Sequence, residues 1–244
     1  MKKFYNFIKR GKMKKPYIKK YKRVYNNILV YIVDGKYIRD NIDEEFTNCA
    51  MHEQFKFIPK NEFWIDKEGK AGEKKFYIDS MIFMRRLLER GVSYKEAWRI
   101  SDNFDRAERT KPKRMEEKIR LKKNPEKILN LIHKQLLKEY SKHIKIWIVD
   151  GEAVRGLFFN NFTQGGHGYV YNFIPKDEIW IDDDIGRNEI PLVLLHELHE
   201  RRLMQKKKLD YDTAHIRSSK IEYYCRQHPK MLDKKLKKEI DKNR

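Results

Sequence analysis

The sequence predicts an α+β fold made by tandem duplication of one small domain. Each copy is a short β-sheet followed by two helices, with a charged helical linker between the copies and a basic arm in front. Three observations predict it. The chain has 244 residues, of which 40% are hydrophobic and 13% aromatic, enough apolar surface for a core although 38% are charged. Shifted by 116 residues, the chain aligns with itself: residues 32–66 lie over residues 148–182 without a gap, and fifteen of those 35 positions are identical. Within each copy, short apolar runs bounded by turn residues give way to stretches with helical spacing.

The first segment, residues 1–24, is the arm. Its first 23 residues hold eleven basic side chains, Lys2, Lys3, Lys9, Arg10, Lys12, Lys14, Lys15, Lys19, Lys20, Lys22 and Arg23, and no acid. That is more than half of the net charge of +20. Phe4, Tyr5, Phe7, Tyr17 and Tyr21 are interleaved with them, a pattern suited to phosphate contact and base stacking. A solvated tail, or an adhesive for an acidic partner, fits the same composition.

Unit one, residues 25–110, opens with an apolar run over 28–33 that stops at Asp34-Gly35, a turn signal. Further strands are expected over 55–58 and 63–65, then helices over 76–90 and 94–108, the second started by a Ser93/Glu96 capping box. Residues 111–142 are strongly charged and read as one or two connecting helices punctuated by Pro112 and Pro125. Unit two, residues 143–230, repeats the plan: an apolar run to Asp150-Gly151, strands over 170–174 and 179–181, and helices over 191–207 and 211–226. Pro191 sits in the first turn of the longer of these helices. Residues 231–244 form a basic tail. Trp64 and Trp180 occupy matching apolar contexts and read as core, and Asp182-Asp183-Asp184 as an acidic turn after a strand.

Composition narrows the function. No apolar stretch reaches the ~18–20 residues of a membrane span, and the amino terminus lacks the apolar segment of a secretory signal. Cys49 and Cys225 make neither a disulfide framework nor a metal-binding pair, so a reducing compartment is expected: cytoplasm, or a virion if the chain is phage-encoded. No phosphate-binding loop, dinucleotide fingerprint or nucleophile elbow is present, which disfavours a nucleotide-dependent enzyme.

Chemistry concentrates in unit two, where His196-Glu197-Leu198-His199-Glu200 lies on a predicted helix. At 100° per residue His196 and Glu200 are 40° apart and His199 lies 60° to the other side. The segment resembles the active helix of zincin metallopeptidases, in which HExxH supplies two metal-binding histidines and a general base. Carried over, the resemblance implies His196 as ligand and Glu197 as base, with Glu200 in place of the second histidine. The repeat adds a second indication. The register persists through Arg85-Arg86-Leu87 and Arg201-Arg202-Leu203 and resumes, after one inserted residue, with Tyr94 over Tyr211. In it, His167, His196, Glu197, His199, Glu200 and His215 face Met51, Ser80, Met81, Phe83, Met84 and Trp98. Such replacements are expected if all six positions converge on one pocket, polar in unit two and filled with apolar side chains in unit one. Buried imidazoles and carboxylates must pair with each other or bind a cation. The expected site is therefore either a divalent metal such as Zn²⁺ held by His196, His215 and His199 or Glu200, with His167 as a further ligand or substrate contact and Glu197 as base, or a metal-free hydrogen-bonded cluster.

The run GGH, then FIPKDEIWID, LLHELHERRLM and YDTAH, is similar to small proteins of bacteria and their phages, a resemblance that implies no activity. Two functions follow from these readings. One is a metal-dependent, hydrolase-like protein with a polyanion-binding arm. The other is a non-enzymatic assembly protein of a virion or nucleoprotein particle, whose arm binds nucleic acid or a protein partner.

Overall fold

The computed structural model describes residues 15–244. Lys2, Lys3, Lys9, Arg10, Lys12 and Lys14 of the expected arm lie outside the described residues. The protein is α+β, with two similar units. In unit one a four-stranded sheet is formed by β1 (Tyr17–Arg23), β2 (Leu29–Val33), β3 (Cys49–Met51) and β4 (Glu62–Asp66) in the order β1-β2-β4-β3. Strands β2 and β4 are parallel at the centre, and β1 and β3 are antiparallel edges. Helix α1 (Gly35–Asn41) crosses between β2 and β3, and α2 (Glu73–Glu89) and α3 (Tyr94–Thr110) follow β4. Three short elements come next: a 3₁₀ turn (Lys113–Met115), α4 (Glu116–Leu121) and α5 (Pro125–Ile132). Unit two repeats the plan with β5 (His133–Leu136), β6 (Lys145–Val149), α6 (Gly151–Leu157), β7 (Gly165–His167), β8 (Glu178–Asp182), α7 (Ile190–Lys207) and α8 (Tyr211–Gln227), its sheet ordered β5-β6-β8-β7. A 3₁₀ turn (Pro229–Met231) and α9 (Leu232–Lys242) close the chain.

The central strands are apolar because both faces of each sheet are covered. In unit one, Val30, Ile32, Phe63 and Ile65 pack on Tyr77, Ile78, Met81 and Met84, while Val33, Ala50 and Trp64 pack on Ile38 and Phe46 beneath. In unit two, Ile146, Ile179 and Ile181 meet Leu194, Leu195 and Leu198. The opposite face is closed partly by Met115, Ile128 and Ile132 from the connecting segment.

Five expectations are corrected. Residues 17–23 are strand rather than arm. Lys19, Lys20, Lys22 and Arg23 are exposed along a sheet edge, while Tyr17 turns inward to donate to Glu62 Oε2 at 2.8 Å. A row of cations on an edge strand discourages pairing with another chain, so the charge that read as a tail is compatible with a strand. The linker likewise ends in β5, 116 residues after β1, with His133 in the place of Tyr17. The Asp-Gly pairs start helices rather than turns, because Asp34 and Asp150 accept the backbone N–H of Tyr37 and Ala153 as N-caps. Residues 55–58 and 170–174 are turns, their N–H groups bonded three or four residues back; the edge strands are β3 and β7 instead. Residues 231–244 are not a free tail, since α9 packs on α7.

The two units are joined by a buried ionic network with approximate two-fold symmetry. Arg39 pairs with Asp66 and Glu68 of its own unit and with Glu189 of unit two. Arg155, in the same register, pairs with Asp182 and Asp184 of its own unit and with Glu73 of unit one. Each bridging glutamate also receives an arginine from the last helix of its own unit, Glu73 from Arg109 and Glu189 from Arg226. The glycines that start α1 and α6 make room for this network. A Cβ on Gly151 would lie 1.9 Å from Asp182 Oδ1, and one on Gly35 would lie 1.8 Å from Asp66 Oδ2. Because Arg155 holds Asp182, Gly151→Ala is expected to destabilise the protein by about 1–3 kcal/mol. Urea unfolding measures this, and a variant as stable as the native chain would show that the aspartate can yield.

Candidate metal centre

Helices α7 and α8 pack side by side, and β7 runs beneath α7. The close approach depends on glycine: a Cβ on Gly165 would lie 3.0 Å from Val193 Cγ1 and 3.2 Å from Glu197 Cγ. The GGH segment is therefore the strand that seats α7. It brings His167 beneath the helix face that carries His196, Glu197 and Glu200.

Three donor atoms converge there. His215 Nδ1 is 2.9 Å from Glu200 Oε2 and 3.1 Å from His196 Nε2, and His196 Nε2 is 3.5 Å from Glu200 Oε2. The outward nitrogen of each imidazole meets a carboxylate. His196 Nδ1 faces Glu222 Oε2 at 2.9 Å, and His215 Nε2 faces Glu45 Oε2 at 3.2 Å. Protons on those outward nitrogens leave the lone pairs of His196 Nε2 and His215 Nδ1 turned toward Glu200, the arrangement that carboxylate–histidine pairs impose around metals. Glu222 is held in turn by Arg226, and Glu45 accepts the hydroxyl of Ser219 at 2.7 Å.

Glu45 belongs to unit one, so the apolar copy also contributes a polar group to the centre. A cleft of about 590 Å³ opens between the units, and Glu45, His196, Glu197, Glu200, His215 and Glu222 all line it.

Electrostatics follow this geometry. Burial would lower the pKa of His196, but its contacts with Glu200 and Glu222 prevail and raise it well above the usual imidazole range. Contacts with Glu200 and Glu45 raise His215 to about 9. Burial acts to raise Glu200, yet His167, His196 and His215 together lower it far below the usual carboxylate range. Burial, then the charge of Glu200, outweighs the opposing charges of His196 and His215 and pushes Glu197 up to about 8. In the metal-free chain Glu200 is thus the anion at the centre of the cluster, and the 3.1 Å approach of His196 Nε2 to His215 Nδ1 has room for only one proton between the two rings.

The expected residues separate into three groups. His196, Glu200 and His215 converge as expected. His167, Glu197 and Glu200 also approach within 4.8 Å of one another. However, His167 Nδ1 accepts the backbone N–H of Tyr169 at 3.2 Å, which puts the ring proton on Nε2. That nitrogen faces Glu200 Oε1 at 3.2 Å without hydrogen-bond alignment. In this tautomer His167 presents a proton rather than a lone pair to Glu200, while its position with Glu197 and Glu200 makes a second group of donor atoms that could hold an ion. His199 is not in the site. It lies 100° from Glu200 around α7, where Nδ1 meets Glu239 of α9 at 3.3 Å and Arg202 at 3.0 Å. Its counterpart Phe83 is likewise outside, stacked on Phe104 at 4.5 Å. Met51, Met81 and Met84 are buried in unit one at the places of His167, Glu197 and Glu200.

Two participants were missed. Glu222 was accessible to sequence reasoning, since it stands seven residues after His215 and therefore within 20° of it on α8. Glu45 carried no signal, because it lies on an irregular segment of the other unit and its register partner is Asn161. No protein-family model, curated protein or solved structure matches the chain.

Proposed function

We propose that this centre binds a divalent cation, Zn²⁺ in the first instance, through His196 Nε2, His215 Nδ1 and Glu200, and that the protein is a metal-dependent hydrolase. The donor triangle carries the reading. Its edges of 2.9, 3.1 and 3.5 Å match the spacing of about 3.4 Å between ligands held at about 2.1 Å in a tetrahedral site. Three protein ligands facing a cleft leave the fourth position to water or substrate, the pattern of catalytic rather than structural zinc. A divalent ion there supplies Lewis-acid activation. The chain's own part is to hold the imidazoles by Glu222 and Glu45, and to move a proton at Glu197, which lines the cleft beside Glu200.

Elemental analysis of purified protein, together with titration by Zn²⁺ after chelation, tests the reading. One ion per chain is expected. Saturating Zn²⁺ with no bound ion and no change in thermal stability would replace this reading with the metal-free cluster.

The exposed row Lys19, Lys20, Lys22 and Arg23 favours a second, compatible activity, binding of a polyanion such as nucleic acid along the β1 edge. Because β1 is part of the sheet, the informative change is Lys→Glu at 19, 20 and 22 rather than removal of residues 1–23. Affinity for duplex DNA is expected to fall with salt at a log–log slope of about −0.9 per neutralised phosphate, and to drop in the triple variant. Equal affinity of native and variant chains would remove β1 from the interface.

A further inference from the structure

The end of the cleft beside α3 is lined by polar atoms that have no partner among the described residues. They are Ser101 Oγ and Asp105 Oδ1 of α3 and Asn160 Oδ1 of unit two, in residues 3%, 6% and 6% exposed. Buried acceptors of this kind are costly unless something donates to them. Comparison of the units shows what is missing. Asp105 occupies the register position of Glu222, and Ser80 that of His196. In unit two the His196 imidazole meets one oxygen of Glu222 while Arg226 binds the other. In unit one Arg109 binds Asp105 Oδ2 at 2.7 Å, but the small Ser80 leaves Oδ1 without its counterpart donor. Ser101 shows the same contrast: its register partner Ser218 donates to Ala214 O at 2.9 Å.

The charge of the lining says which donor fits. Among the described residues the cleft is lined by seven carboxyl groups, two imidazoles and one guanidinium, that of Arg109, which Glu73 and Asp105 already satisfy. Glu45, Glu197, Glu200 and Glu222 lie with His196 and His215 at the other end, and Asp102 and Asp105 are the carboxyl groups that α3 brings to this one. Tyr94 and Trp98 also line it, supplying ring faces that attract cations.

We propose that the end of the cleft beside α3 is a binding subsite for an ammonium or guanidinium group, received by Asp105 Oδ1, Ser101 Oγ and Asn160 Oδ1 beside Trp98. It implies a substrate or ligand bearing a basic side chain or amine. The subsite is independent of the metal reading, since none of its residues is a proposed ligand to the ion. If a metal is also held, the group bound here sets which bond of the molecule reaches the Glu197 end.

The test is binding of N-acetylarginine amide and of its neutral isostere N-acetylcitrulline amide to the full chain, followed by calorimetry or protein NMR with chelator present. A failure then bears on this subsite alone. The arginine amide is expected to bind about tenfold or more tighter than the citrulline amide. Ser80→His, which restores the imidazole of unit two, is expected to fill the recess and weaken the arginine amide by a similar factor without lowering the melting temperature. Should that variant not fold, Ser101→Ala carries the same readout. It deletes a hydroxyl that has no partner, and is expected to keep native stability while binding the arginine amide about threefold more weakly. The proposal is overturned by equal affinity for the two amides, by no binding of the arginine amide up to about 10 mM, or by variants that fold and bind as the native chain does.

Discussion

His196→Ala is expected to abolish stoichiometric Zn²⁺ binding. The loss should exceed the about 10–100-fold in affinity that removing an outer carboxylate costs, because this change deletes a ligand rather than the group that aims it. Glu45→Gln is expected to fall in that 10–100-fold range, since Glu45 touches only the outward nitrogen of His215. His199→Ala should leave affinity unchanged, because His199 is tied to Glu239 and Arg202 on the far side of α7. The three variants order themselves differently under the competing description. If the cluster only ties α7 to α8 by hydrogen bonds, His196→Ala should destabilise the chelated protein as much as the Zn²⁺-treated one. If it binds an ion, the difference in melting temperature should grow with added Zn²⁺, since a ligand stabilises only the state that binds it. Competition with a chromogenic chelator gives the affinities, and a His199→Ala defect equal to that of His196→Ala would falsify the assignment.

That ordering also shows which parts of the site were legible in the sequence. Positions 196, 200 and 215 could be brought together because the repeat supplied a comparison for each, and because helix periodicity is regular enough to place two side chains on one face. His199 was misassigned for the same reason that Glu200 was not: an angle measured from His196 alone does not say where the neighbouring helix lies, and α9 takes that flank. Helices were read to within a few residues, since Ser93 and Pro191 mark their starts and the apolar spacing persists through them. The strand β1 was not, because its alternation is masked by lysines on an edge that needs little burial. The helices α1 and α6 were hidden by their own caps, since Asp-Gly is equally the signature of a tight turn, and only tertiary contacts decide between the two. Glu45 lay beyond reach, because its role exists only once the units are docked.

The docking itself is the subject of the second large effect. Arg155→Met is expected to cost about 3–5 kcal/mol of stability, as removal of one partner from a buried ionic network does. The side chain is fully buried, and it touches Glu73, Asp182 and Asp184, so its loss leaves Asp182 and Asp184 without their cation and Glu73 with Arg109 alone. Arg39→Met should act similarly through Glu189, Asp66 and Glu68, given the two-fold arrangement.

Acid should reduce the difference between native and variant chains. Burial acts to raise Glu73 and Glu189, but the arginines prevail and lower both, Glu189 to about 2. A carboxyl whose folded pKa lies below its unfolded value of about 4.5 contributes stability that is complete above that pH and is lost as pH falls toward the folded value. For Glu189 that window runs from about 4.5 to about 2. In Arg155→Met, Glu73 has lost one of the two guanidiniums that lower it, so the variant has less to lose over the same range. Asp182 adds an earlier step, because burial holds it up at about 6 against the pull of Arg155. Denaturant unfolding at a series of pH values should therefore show a stability gap that narrows as pH falls through about 6, and again below about 4.5 as Glu73 takes up its proton. A gap of the same size at pH 3 and pH 7 would mean that the network joins the units by shape rather than by charge. The metal centre depends on this joint. Glu45 reaches His215 only while the network holds the two units together, so Arg155→Met should also weaken Zn²⁺ binding, although Arg155 is not among the groups that form the centre.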